Sequence, residues 1–198
     1  MSSKVSNSTV FFDVDTQIDF LYPAGALYVP GAEPLLGTLE RLNRYTESRG
    51  IPLISTMCAH AENDAEFRDW PPHCVKGCLG QLKPPRLMLG RHRVIASTPN
   101  AAFEEAPQYI LEKQMLDCFS NPNLIPLLNY LNPERCVVYG VVTEYCVRCA
   151  ALGLLNLGKH VELVEDAIQT LSGEAREKFF AEFTARGGRL TQADQVCR

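Results

Sequence analysis

The chain has 198 residues, 46% of them hydrophobic, which is enough for one sizeable core and short for two. Its formal net charge is −4 and no stretch clusters Lys and Arg with aromatic residues, so nucleic acid is not expected as a partner. No apolar run approaches the roughly 18 residues of a membrane span, and the opening MSSKVSNSTV lacks the apolar core of a secretion signal. The expectation is a cytoplasmic protein without a membrane partner, folded as a single domain over residues 1–198. In that compartment its eight cysteines are expected to serve as thiols, metal ligands or a nucleophile rather than as disulfides.

In chain order, Val10 to Val14 is a short apolar run that ends in acids. Pro34 to Arg49 carries Leu35, Leu36, Leu39, Leu42 and Tyr45 at helical spacing before Gly50. Pro52 to Thr56 reads as a second strand, and residues 57 to 92 form a long polar, Pro-rich excursion of the kind that is functional or disordered. Tyr109 to Leu111 predicts a strand, Leu124 to Leu131 a helix, and Arg135 to Val142 a strand whose β-branched run suits a sheet covered on both faces. A helix from Cys146, a strand at His160 to Val164, a helix at Gly173 to Arg186 and a last strand around Arg189 to Thr191 complete the series. Strands alternating with helices predict a three-layer α/β/α, Rossmann-like fold with a mainly parallel sheet.

Open sheets of this kind bind ligands beyond the carboxyl ends of their strands. Asp13, Asp15 and Asp19 follow the first strand, Cys58 and His60 the second, Lys113 the strand at Tyr109, and Cys146 the strand at Arg135. Four distant segments thus converge on one mouth. Cys146 falls at a strand-to-helix turn, where the helix dipole and free N–H groups are expected to favour the thiolate. A thiol, a carboxylate and an ammonium in one cleft can attack an amide carbonyl, with backbone N–H groups at the helix start holding the oxyanion.

DTQIDF at 15–20, WPPHCVKG at 70–77, EKQMLDCFSNPNL from Glu112 and GVVTEYCV at 140–147 together resemble the isochorismatase-like cysteine hydrolases, and within them the nicotinamidases. The resemblance spans about Val10 to Asp166 and keeps the motif order. It implies an Asp-Lys-Cys triad on Asp15, Lys113 and Cys146, a cis peptide at Val141–Val142, and oxyanion donors at Val142 and Cys146. It implies a pocket in which Phe20, Trp70 and Tyr145 surround a flat substrate ring, and it implies a homo-oligomer. The expected activity is hydrolysis of a small amide through a thioester with release of ammonia. The alternative substrates are ureido, carbamoyl or maleamate-like compounds.

Nicotinamidases carry Asp-x-His after the second strand and a second His in the Trp-Pro motif, which together hold a divalent metal. The corresponding residues are Cys58, His60 and His73, so a cysteine stands where the resemblance expects an aspartate. Either no cofactor is required, or Cys58, His60 and His73 hold one divalent ion with Asp64 or Glu66 assisting. Thiolate and imidazole would favour zinc. Two readings compete with the hydrolase. Cys146-x-x-Cys149 with Cys74 and Cys78 could make a redox dithiol or a zinc-binding thiol protein, and the same fold could be a non-catalytic binding protein.

Overall fold

The five inner strands of the sheet form around short apolar runs, whereas the two edge strands do not. The computed structural model describes residues 9–198; the first eight residues, most of the polar opening segment, lie outside it. In chain order the elements are β1 (Thr9–Val14), α1 (Ile18–Leu21), α2 (Leu36–Arg49), β2 (Leu53–Cys58), β3 (His92–Ile95), β4 (Gln108–Lys113), α3 (Leu124–Leu131), β5 (Arg135–Val141), α4 (Arg148–Asn156), β6 (His160–Gln169), α5 (Gly173–Ala185), β7 (Arg189–Thr191) and α6 (Ala193–Val196). The seven strands form one sheet in the order β3-β4-β2-β1-β5-β6-β7, and every pair is parallel. Among the described residues no helix is long and apolar enough to cross a membrane.

The centre of the sheet explains its sequence. β1 is flanked by β2 and β5 and is buried from Val10 to Val14, as a strand covered on both faces must be. Helix α2 packs Leu36, Leu39, Leu42, Asn43 and Thr46 inward at helical spacing and ends at Gly50, whose left-handed φ of 63° closes the last turn. Gly140 approaches β1 so closely that a Cβ there would stand 2.1 Å from the Val14 carbonyl oxygen, so only glycine fits.

Four expectations differ in extent from what folds. β2 continues through Cys58 and β4 through Lys113, because the polar residues at their ends are buried at the mouth rather than released to solvent. β6 runs on to Gln169, past the exposed Glu165 and Asp166 that mask its continuation in the sequence. The helix expected from Cys146 opens with a wide π turn, Thr143–Val147, before α4. β3 has no counterpart in the sequence reading. It is an edge strand with a single buried residue, Ile95, and its charged face carries no apolar signal.

Beneath the sheet mouth the long loop is tied down by a buried polar network. Lys83 Nζ lies 3.2 Å from Asp13 Oδ2, and both side chains are fully buried. Thr16 donates to Asp13 Oδ1 at 2.6 Å, Lys83 donates to Thr16 at 2.8 Å, and Ser55 donates to Asp13 Oδ2 at 3.0 Å. Asn43 donates to the Leu87 carbonyl at 2.8 Å and accepts from Tyr139 at 2.6 Å, joining α2, the loop and β5. Removing one partner of such a pair strands the other charge in the interior. Lys83→Met is expected to lower stability by about 3–5 kcal/mol, and Asp13→Asn added to it should recover part of that loss. Urea unfolding of the three proteins checks this; a single-variant loss below about 1 kcal/mol would mean that the pair is not what holds the loop.

Candidate active site

β1 lies at the middle of the sheet; β2, β4 and the edge strand β3 extend it to one side, and the chain returns to the other side of β1 as β5. The strand order therefore reverses between β1 and β5, the place where such sheets open a crevice. Asp15 follows β1 and Cys146 follows β5, so both stand at that reversal. A strand's alternation would align Asp15 with Asp13, but Asp15 adopts a left-handed φ of 49° and its carboxylate meets a different lysine. That lysine, Lys113, ends β4, and its register partner on β2 is Cys58. The peptide between Val141 and Val142 is cis, as the resemblance implies.

The contacts form a tight cluster. Lys113 Nζ is 2.8 Å from Asp15 Oδ2, 3.1 Å from Cys58 Sγ, 3.7 Å from Cys146 Sγ and 3.0 Å from the Met115 carbonyl it donates to. Thr56 donates to Asp15 Oδ1 at 2.6 Å and accepts from the Asp15 N–H at 3.1 Å. Asp15 Oδ2, close to the ammonium, has no hydrogen bond of good alignment and so has capacity to accept a proton. Burial alone would raise the Asp15 carboxyl, but Lys113 and Thr56 outweigh it and hold the group below the usual carboxylate range. Burial alone would lower Lys113, but Asp15 and the neighbouring sulfurs keep it well above its ordinary value. At Cys146 burial wins: it pushes the thiol well up, the Asp15 charge adds to that, and Lys113 only partly offsets both. Burial at this turn thus opposes the thiolate that a helix start favours, and the Lys113 charge supports it.

Above the cluster lies a mostly apolar cavity of about 130 Å³ with Asp15, Cys58, Cys146, Phe20, Trp70 and Tyr145 in its wall. Trp70 and Tyr145 meet edge to face with centroids 5.5 Å apart. The rim includes Leu116 and Leu171, which the sequence reading did not single out and which have no motif to mark them. Leu171 is placed by Glu144, whose carboxylate accepts from Thr170 Oγ1 at 2.7 Å, from Leu171 N at 3.0 Å and from Ser172 N at 2.9 Å. The glutamate in GVVTEYCV thus builds the rim while its neighbour Cys146 faces the cavity. Gln17 fixes the other side by accepting from Cys58 N at 2.7 Å and donating to the carbonyls of Cys58 and Gln81 at 2.9 and 2.6 Å.

Beside the cavity, ligand atoms of Cys58, His60 and His73 all lie within 4.8 Å of one another, the one group of this kind among the described residues. His73 Nδ1–H donates to the Pro71 carbonyl at 2.8 Å, which leaves Nε2 as a lone pair, and burial holds the ring below its ordinary basicity. Both ring nitrogens of His60 are buried without a well-aligned hydrogen bond; Nδ1 faces Asp64, and Nε2 is an orphaned lone pair of the kind that fits a metal ion. Asp64 Oδ2 stands 3.1 Å from His60 Nδ1, and Glu66 Oε1 stands 3.8 Å from His73 Nε2. Asp64 thus stands behind His60, where it would orient the ring, whereas Glu66 faces the free Nε2 of His73 from the cavity side. Phe67, absent from the sequence reading, packs on both imidazoles at 5.4 and 5.7 Å. Without an ion, burial pushes the Cys58 thiol up to about 12, with the Asp15 charge adding to it. Among the described residues Cys74, Cys78, Cys146 and Cys149 do not come together as a metal-ligand group.

A family model for the isochorismatase domain matches residues 9–195. The nicotinamidase of Escherichia coli is 27% identical over 213 residues, covering 91% of this chain and 93% of that protein. The maleamate amidohydrolase of Pseudomonas putida is 25% identical, covering 78% of this chain and 69% of that protein. Among solved structures, the pyrazinamidase of Pyrococcus horikoshii in complex with zinc superposes with a TM-score of 0.78 and 28% identity, covering 93% of this chain and 99% of that one.

Glu144→Ala leaves two backbone N–H groups at the rim to water. It is expected to cost about 1 kcal/mol, since these charge-assisted bonds are solvent-exposed. Hydrogen exchange at the amides of 171 and 172 should accelerate while the strand amides of β5 stay protected. Unchanged exchange at 171 and 172 would show that Glu144 does not hold the rim.

Proposed function

The chain belongs to the isochorismatase family, and within it we propose an amidohydrolase that cleaves a small, neutral aromatic amide, with Cys146 as nucleophile, Asp15 as proton carrier and Lys113 as the charge that keeps Asp15 ionised. The observation that carries this reading is the contact of Asp15, Lys113 and Cys146 in the wall of one largely apolar cavity. As the Cys146 sulfur attacks the amide carbon, its proton passes to Asp15 Oδ2 and negative charge develops on the carbonyl oxygen. The N–H groups of Val142 and Cys146 are the proposed donors to that oxygen. Collapse of the tetrahedral species breaks the C–N bond, and Asp15 returns the proton to the departing nitrogen, which leaves as ammonia. Water then attacks the thioester with Asp15 again taking its proton, and release of the carboxylic acid restores the thiol.

The wall itself favours a neutral ring. Its ionisable acids are Asp15 and Glu66, and no Lys or Arg lines it, so a carboxylate-bearing substrate such as a maleamate would meet like charge. Phe20, Trp70 and Tyr145 offer aromatic edges and faces to a flat substrate. Cys58, His60 and His73 would hold a divalent ion, zinc by the chemistry of its donors, and when bound it would supply a Lewis-acid position for a lone pair of the substrate. Our reading includes a cytoplasmic setting, in which eight thiols would stay reduced, and the homo-oligomer that the family resemblance implies.

Ammonia release over a panel of nicotinamide, pyrazinamide, maleamate and an ureido compound tests the reading. The neutral aromatic amides are expected to exceed maleamate in kcat/KM by at least about tenfold, the worth of roughly 1.4 kcal/mol of like-charge penalty. Cys146→Ala should abolish turnover, and Asp15→Asn and Lys113→Ala should each lose about 10²-fold or more. Turnover by a folded Cys146→Ala protein, or preference for maleamate, would overturn it.

Equilibrium dialysis against zinc addresses the metal group independently of turnover. About one equivalent should bind, and His60→Ala should release it, since imidazole and thiolate ligands are not replaced by water without large loss. Binding that survives both His60→Ala and Cys58→Ala would place the ion elsewhere.

A further inference from the structure

Cys58 occupies a position at which it touches the catalytic lysine directly, and the hydrolytic reading gives its sulfur no covalent task. Its Sγ lies 3.1 Å from Lys113 Nζ, and Cys146 Sγ lies 3.7 Å from the same nitrogen. Two sulfurs against one nitrogen are separated by no more than those two contacts laid end to end. Both line the same cavity, so an oxidant small enough to enter reaches either one. Cys58 is 3% exposed and Cys146 is 7% exposed, so larger thiol reagents are screened while a peroxide is not. The neighbouring cysteines are placed differently. Cys149 lies in α4 and Cys74 within the loop, and neither lines the cavity.

We propose that Cys58 and Cys146 form a reversible oxidation site, in which peroxide converts Cys146 to a sulfenic acid and Cys58 resolves it as an intramolecular disulfide. In the first step Asp15 takes the Cys146 proton, the sulfur attacks one peroxide oxygen to form S–OH, the O–O bond breaks, and the departing hydroxide leaves with that proton as water. In the second, the Cys58 sulfur attacks the Cys146 sulfur, hydroxide leaves with the Cys58 proton as water, and the S–S bond forms. A dithiol reductant restores both thiols through a mixed disulfide. The Lys113 ammonium, in contact with both sulfurs, balances the negative charge that develops on each in turn. The disulfide holds the nucleophile at a recoverable oxidation level and spares it from the irreversible sulfinic and sulfonic acids. Gln17 holds the Cys58 backbone at the end of β2, so the gap closes by rotation of the Cys58 side chain and by the turn that carries Cys146.

This inference rests on Cys146 being the nucleophile only where activity is the readout. Protein as purified and after chelator treatment is exposed to hydrogen peroxide, digested without reduction and mapped by mass spectrometry. A peptide pair joining Cys58 to Cys146, with the loss of two hydrogens, is expected in at least one of the two samples. Activity lost to peroxide should return with dithiothreitol in the parent. In Cys58→Ser, measured against its own starting rate, most of the loss should be permanent and Cys146 should carry two or three oxygens. Absence of the joined pair from both samples, joining of Cys146 to Cys149 instead, or full recovery in Cys58→Ser would overturn the proposal. A joined pair in an enzyme that keeps its full rate would leave the disulfide standing and remove Cys146 from the hydrolytic role.

Discussion

Asp15 and Lys113 face each other 2.8 Å apart with almost no exposure. Two charges withdrawn from water lose several kcal/mol of solvation each, and they persist only where the geometry is good and the remaining polar atoms are satisfied. The sheet supplies those conditions through adjacency. β4, β2, β1 and β5 lie side by side, so the ends of four strands present Lys113, Thr56, Asp15 and the turn to Cys146 within reach of one another. No pair of elements consecutive in the chain could assemble the set. The parallel order is thus a requirement of the charge cluster as much as of the core.

The same strand end carries a second pair. Asp13 meets Lys83 from the long loop, in an equally dry setting, and differs from Asp15 only in which lysine it reaches. What separates them is one left-handed residue, Asp15 itself, which breaks the alternation of β1. Asp19 extends the pattern: its carboxylate accepts from Cys74 N at 2.7 Å and from Ala26 N at 2.9 Å, and a Cβ at Gly80 would stand 2.2 Å from it. Three acids within one short stretch therefore bind three parts of the chain: the lysine of β4, the lysine of the loop, and the loop backbone.

The sequence reveals those features that depend on local pattern. Apolar runs bounded by polar residues locate β1, β2, β4, β5 and the first half of β6, and the strand-to-helix transition singles out Cys146. Features set by partners across the sheet stay hidden. Cys58 touches Lys113 because the two are register partners, which no spacing within either strand expresses. The upward push on the Cys146 thiol follows from how deeply its turn is buried, and burial emerges only when the chain has folded around it. Lys83, within a polar stretch, reads as a surface residue until Asp13 is placed beneath it. β3 is silent for the opposite reason, since an edge strand has too little to bury.

The fastening of the loop at its far end has a consequence for how this protein can diverge. Lys83 and Leu87 are bound to β1 and α2 through Asp13 and Asn43, whereas Trp70 and His73 near the loop's outer arc form the wall above the chemistry. The residues that line the cavity and the residues that keep the segment in place are therefore different residues. Exchange at the arc alters which molecules fit without disturbing the buried charges, so the architecture allows substrate preference to drift while the chemical step stays fixed.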